Sequence, residues 1–148
     1  MYPDKDDCFT LAVDFATDAE KLYLVLLQVD KWWPGQFEGA SAKVGDEFIL
    51  RNGEDHFSRQ RVAEATPSHR VKWEVIESWR KQDAHTWNGT TMTFDLSPRG
   101  KDCTLTLTHV GRVPKGELDR CIQGWTTLLS ECVGAAACSR ADMRQEPR

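Results

Sequence analysis

From residue 8 the chain alternates: Phe9, Leu11, Val13 and Phe15 are apolar, while Cys8, Thr10, Ala12 and Asp14 form the other row. That two-residue period predicts a strand with one buried face. Thr17-Asp18-Ala19-Glu20 then fits a capping box, in which the threonine oxygen and the glutamate three residues later satisfy free amides at a helix start. Leu22, Val25, Leu26 and Val29 supply the helical stripe, and Trp32-Trp33-Pro34-Gly35 ends it, with room for a second short helical turn. From Phe37 to Gly111 the period is two again, giving strands near 37–41, 46–52, 56–65, 70–79, 87–97 and 102–110. Turn signals separate them, among them Val44-Gly45-Asp46, Thr66-Pro67-Ser68 and Ser97-Pro98-Arg99-Gly100. No link has the dozen or so residues of a parallel crossover, so the sheet is expected to be an antiparallel meander. After Pro114 the steps of three and four return at Leu118, Cys121, Ile122, Trp125, Leu128, Leu129, Cys132 and Ala136, which predicts one long amphipathic helix covering the sheet.

The chain has 148 residues, 19 basic against 23 acidic, for a net charge of −4. One domain over 1–138 with a polar tail over 139–148 is expected, with a core large enough to need no disulfide or structural metal. A mildly acidic chain without a basic cluster lacks the footprint of phosphate contacts, which argues against nucleic acid and against docking on anionic membranes. Cys8, Cys103, Cys121, Cys132 and Cys138 are an odd count without a C-x-x-C pair and read as reduced core thiols. His56, His69, His85 and His109 have no ligand spacing, so no metal is expected. The N-terminus has no apolar leader and no apolar run approaches bilayer length, which predicts no membrane insertion and a cytoplasmic location. Serine-hydrolase, phosphate-loop, dinucleotide and zinc-protease motifs are missing, and no cofactor is expected.

The order strand, short helices, six-strand meander and long C-terminal helix resembles the α+β helix-grip fold of the START-like superfamily, also called SRPBCC or birch-pollen-allergen-like. Trp32-Trp33-Pro34, Val71-Lys72-Trp73-Glu74-Val75, Trp87-Asn88-Gly89-Thr90 followed by Phe94, Leu107-Thr108-His109-Val110-Gly111, and Gly124-Trp125 resemble its activator-of-heat-shock-protein-90-ATPase-like subfamily. The resemblance spans about residues 8–135. It implies a curved sheet of about seven strands wrapped around the C-terminal helix, with an apolar cavity between them. Fold alone does not name the function, since relatives include lipid carriers, hormone receptors, polyketide cyclases and a chaperone activator domain.

Alternation assigns candidate cavity residues. His109 continues the apolar row Cys103, Leu105, Leu107, and is either a histidine satisfied by polar neighbours or an anchor or acid–base group. Glu77 follows Val71, Trp73 and Val75 and precedes Trp79, which places a carboxylate between two indoles unless the strand bulges and releases it to water. Asn88 and Thr90 share the row of Met92, Phe94 and Leu96, while Arg59 and Arg61 lie in a strand whose rows are both polar. Trp33, Trp73 and Trp125 are placed around one volume, and Gly124 is expected where the helix nears the sheet. The ligand-binding set is thus Trp33, Trp73, Glu77, Asn88, Thr90, Phe94, Leu107, His109 and Trp125. Three functions follow: binding of a small apolar, lipid- or polyketide-like molecule; cofactor-independent cyclisation, dehydration or hydrolysis by Glu77 and His109; or interaction with a chaperone ATPase. A homodimer is left open.

Overall fold

Alternating apolar side chains need a second layer to cover them, and the computed structural model, which describes residues 8–54, 56–80, 88–111 and 118–137, supplies it on one side of a sheet. The strands are β1 (Cys8–Phe15), β2 (Gln36–Gly39), β3 (Glu47–Asn52), β4 (His56–Thr66), β5 (Arg70–Arg80), β6 (Thr91–Arg99) and β7 (Asp102–Val110). They lie in the order β1-β7-β6-β5-β4-β3-β2, every neighbour antiparallel, in a curved sheet that does not close. The first strand therefore pairs with the last, as in the expected helix-grip architecture. The predicted strand near 87–97 starts later than expected, because Asn88 and Gly89 form a turn, and Trp87 lies outside the described residues.

Phe48, Leu50, Val62, Val71, Trp73, Val75, Met92, Phe94, Leu96, Leu105 and Leu107 are buried on the inner, concave face. The outer face carries ion pairs between strands: Arg59 with Glu47 at 2.6 Å, Arg61 with Glu74, Arg70 with Asp95 at 2.6 Å, and Arg99 with Asp14 at 3.1 Å. These side chains are half-exposed, so each pair contributes at most about 1 kcal/mol and acts mainly to fix register. The Thr104 hydroxyl, donating to Asp14 Oδ1 at 2.6 Å, holds that carboxyl below its ordinary range, with help from Arg99. Arg59 and Arg61 thus face outward, which resolves the strand whose rows the pattern could not separate: Ser58, Gln60 and Val62 are the buried row of β4.

Two register shifts interrupt the β4–β5 ladder. Arg59 pairs with Glu77 while Gln60 pairs with Val75, leaving Ile76 extra on β5; Val62 pairs with Trp73 while Glu64 pairs with Lys72, leaving Ala63 extra on β4. Such bulges reverse the facing of every later residue and bend the strand.

Helix α1 (Ala19–Leu27) is capped by Asp18, whose Oδ1 accepts from the Lys21 amide at 2.8 Å, rather than by Thr17, which is buried. A 3₁₀ turn, Val29–Lys31, follows. The C-terminal helix is not one regular rod: α2 (Leu118–Thr127) passes into a π-helical segment (Leu128–Val133) and then α3 (Gly134–Ala137). The wider turn shifts the buried stripe onto Leu129 and Val133, both fully buried, so Val133 takes a place the helical spacing did not assign. Of the five cysteines, Cys103 is buried and free, and burial pushes its thiol pKa up. The tail over 139–148 lies outside the described residues.

Gly124 is exposed, and a Cβ placed there meets nothing within 4 Å. The glycine close to the sheet is instead Gly134, whose Cβ would lie 3.8 Å from Phe15. Gly124→Ala is therefore expected to stabilise the fold by about 0.5–1 kcal/mol through helix propensity alone, read as a higher denaturant midpoint with an unchanged slope.

Candidate functional site

His109 sits near the end of β7 with no solvent exposure. Its inward direction follows from the unbroken alternation of β7, and its cross-strand neighbours are Phe9 on β1 and Met92 on β6. The ring stacks on Phe9 at 5.2 Å, and Nε2 lies 3.1 Å from Thr90 Oγ1. Which of the two donates follows the histidine tautomer, so the pair can present either polarity. Thr90 is buried, and it comes this close because Gly111 has no side chain: a Cβ there would stand 2.2 Å from Thr90 Cγ2.

Beside this polar pair runs an aromatic wall. Trp73 packs edge-on against Phe94 at 4.7 Å and Phe48 at 5.1 Å, and its ring lies parallel to Trp32 at 6.2 Å. Phe94 meets Trp125 of α2 edge-on at 6.0 Å, and its cross-strand neighbour Leu107 is fully buried. Edge-on aromatic pairs of this geometry add roughly 0.5–1.5 kcal/mol each beyond the area they bury. Trp73, Thr90, Phe94, Leu107, His109 and Trp125 are thus brought to the concave face and the helix that covers it.

Three predicted residues are placed elsewhere. Glu77 is exposed and faces outward beside Arg59, because the bulge at Ile76 reverses the end of β5. Asn88 is exposed in the turn before β6, where its Oδ1 accepts from the Ser78 amide at 2.7 Å. Trp33 is half-buried at the rim, donating from Nε1 to the Arg51 carbonyl at 3.1 Å, with its ring 6.0 Å from His56. The inward indole at that motif is Trp32, turned in by the 3₁₀ segment and donating to the Val25 carbonyl at 3.0 Å. Glu77 and His109 also stand far apart: two strand spacings and four residues of strand separate them, about 16 Å at ~4.8 Å per strand and ~3.4 Å per residue, on opposite faces. They do not form an acid–base pair on one substrate.

Gln60 and Ser58, on the strand whose pattern gave no face, were missed. Both are buried on the concave face, with Gln60 Nε2 donating to Ser58 Oγ at 3.0 Å. A groove of about 240 Å³ lies along β2 and β3, lined by Gln36, Phe37, Glu38, Ile49 and Arg51. Its polar members belong to the outward row. Among the described residues no three His, Cys, Asp or Glu side chains are grouped to hold a metal ion, and no helix is long and apolar enough to cross a membrane.

Residues 16–133 match the family described as activator of Hsp90 ATPase homolog 1-like protein. The chain belongs to that family. Solved structures similar to this family member include the Aha1 dimer from Colwellia psychrerythraea, 19% identical with a TM-score of 0.71, covering 90% of this chain and 98% of that one. CalU16 from Micromonospora echinospora is 15% identical with a TM-score of 0.65, covering 93% and 80%. DynU16, from the dynemicin biosynthetic locus, is 16% identical with a TM-score of 0.70; the match covers 97% of this chain and 51% of DynU16. At these identities the likeness is one of fold. No curated protein sequence gives a significant match.

Proposed function

We propose that this family member binds a small, mostly apolar molecule between the concave face of the sheet and the C-terminal helix. The observation that carries the reading is His109, wholly buried and hydrogen-bonded to Thr90 at the end of a wall formed by Trp73, Phe94 and Trp125. Binding sites for small molecules combine such apolar walls with a few placed polar groups. DynU16, with the same fold, comes from a biosynthetic locus, which favours a natural product over a membrane lipid as ligand class. The Colwellia dimer extends the proposal to a homodimer of this chain. A reaction resting on Glu77 and His109 together loses its geometric support.

Native mass spectrometry of the protein from its own source is expected to show a discrete adduct that disappears on denaturation. His109→Phe, which keeps the ring stack on Phe9 and removes both nitrogens, is expected to lower adduct occupancy about tenfold, the equivalent of one buried hydrogen bond of ~1.4 kcal/mol. A bare wild-type protein whose tryptophan fluorescence is also unmoved by apolar ring compounds would sink the reading.

A further inference from the structure

Gln60 Oε1 and the indole N–H of Trp73, both buried on the concave face, have no hydrogen-bond partner among the described residues. Gln60 is 4% exposed and Trp73 0%. They are diagonal neighbours, because Gln60 pairs with Val75 and Val62 with Trp73 over a stretch of ladder between the two bulges. Side chains in that relation start about 7–8 Å apart on the same face. Their environment is otherwise apolar: Phe48 is the cross-strand neighbour of Gln60 on β3 and packs edge-on against Trp73. Burying one such group unpaired is costly, and here two are carried by diagonal neighbours.

The chemistry of the pair is specific. Gln60 Oε1 only accepts, and Trp73 Nε1 only donates. As placed, the Gln60 amide gives its Nε2 to Ser58 Oγ and leaves Oε1 as the open end; turned over, it would take a hydrogen from the Ser58 hydroxyl and offer an N–H instead, which a ligand hydroxyl also answers, by accepting. With Oε1 as the open end, a ligand carbonyl answers the indole alone, and an ammonium answers the amide alone. A single hydroxyl answers both, accepting from Trp73 and donating to Gln60. A carboxylate is disfavoured, since the buried side chains among the described residues include no lysine or arginine.

We infer that Gln60 and Trp73 form a recognition site for a neutral hydroxyl borne by an aromatic or polycyclic ligand, at a point on the wall distinct from the His109–Thr90 pair. The inference rests on the proposed apolar-ligand function and narrows its ligand to a class that is ring-shaped, uncharged and hydroxylated. A resident water offers the same donor and acceptor, and the experiment separates the two sources.

The test is binding of naphthalene, 2-naphthol and 2-naphthoate to the wild-type protein and to Gln60→Met, followed by tryptophan fluorescence, with thermal unfolding measured without ligand. Gln60→Met keeps the length of the side chain and removes the acceptor together with the Nε2 donor to Ser58, so thermal unfolding is compared in a Ser58→Ala background, where that bond is already absent. The expected result is that wild-type protein prefers 2-naphthol over naphthalene by at least fivefold and over 2-naphthoate by more. Gln60→Met is expected to abolish the preference and, added to Ser58→Ala, to raise the unfolding temperature above that of Ser58→Ala alone, because an unanswered amide oxygen has been removed with no bond to Ser58 at stake. Equal binding of naphthalene and 2-naphthol by wild type would overturn the hydroxyl site while leaving the apolar-ligand function standing. A lower unfolding temperature when Gln60→Met is added to Ser58→Ala would also overturn it, since that is the result for an amide satisfied by resident water. Binding of none of the three would overturn the site and the underlying function together.

Discussion

Trp73→Ala is expected to lower stability by about 3–5 kcal/mol, the largest effect of any single substitution on the concave face. The indole is fully buried at the meeting point of three rings, with Phe94 and Phe48 edge-on and Trp32 parallel to it. Alanine leaves a void bounded by strands β3, β5 and β6 and by the turn after α1, none of which can collapse inward without breaking the ladder on either side. Its removal also deletes one unpartnered N–H, a gain that offsets part of the loss. The measurement is chemical denaturation: the midpoint should fall with the slope preserved, and thermal unfolding should drop by roughly 10 °C or more. Trp73→Phe, which retains a ring for Phe94 and Phe48 to meet, should recover more than half of the loss. A shift under about 1 kcal/mol for alanine would mean that the aromatic wall is loosely packed.

The second large effect is expected at Gly111, outside the core. Its φ of 144° is one that side-chain-bearing residues rarely adopt, and a Cβ would stand 2.2 Å from Thr90 Cγ2 and 2.5 Å from Thr90 Cβ. Gly111→Ala should therefore destabilise by about 2–5 kcal/mol, combining backbone strain with overpacking. The distinguishing consequence is at His109, since displacing Thr90 withdraws the oxygen 3.1 Å from Nε2. Imidazole resonances of His109 should move in Gly111→Ala with those of the exposed His69 unchanged. Adding Thr90→Gly to the alanine variant removes the collision but not the strained φ, so partial recovery of stability apportions the two causes. Full wild-type stability of Gly111→Ala alone would show that the β7 end relaxes freely and does not hold the pair.

How much of this was legible in the chain depends on whether a local period survives. β1, β6 and β7 alternate without interruption, and Phe9, Met92, Phe94, Leu107 and His109 all face the side that their spacing assigned. β5 carries the same clear period through Val75, and that period puts Glu77 inside unless the strand bulges; the extra residue at Ile76 that turns it out belongs to the pairing with β4 and leaves no mark in the apolar pattern. β4 gave no face at all: its buried row holds Ser58 and Gln60, and its exposed row holds Arg59 and Arg61, so polarity could not separate them. The inward Gln60 was thus hidden by the same feature that makes it chemically interesting. The C-terminal stripe failed by one residue for a similar reason, since a π turn is not visible in a sum of helical steps. Trp32 and Trp33 are adjacent, and only the tight turn before them decides which indole enters the core.

That π turn changes the rotational phase of the C-terminal helix part-way along its length. Upstream of it Trp125 reaches Phe94, and downstream α3 packs against α1 while Gly134 lies near Phe15. Each piece keeps its own rotational phase about the axis. The roof over the aromatic wall thus rests on one phase of the helix, and the packing of α3 on α1 and beside Phe15 rests on the other.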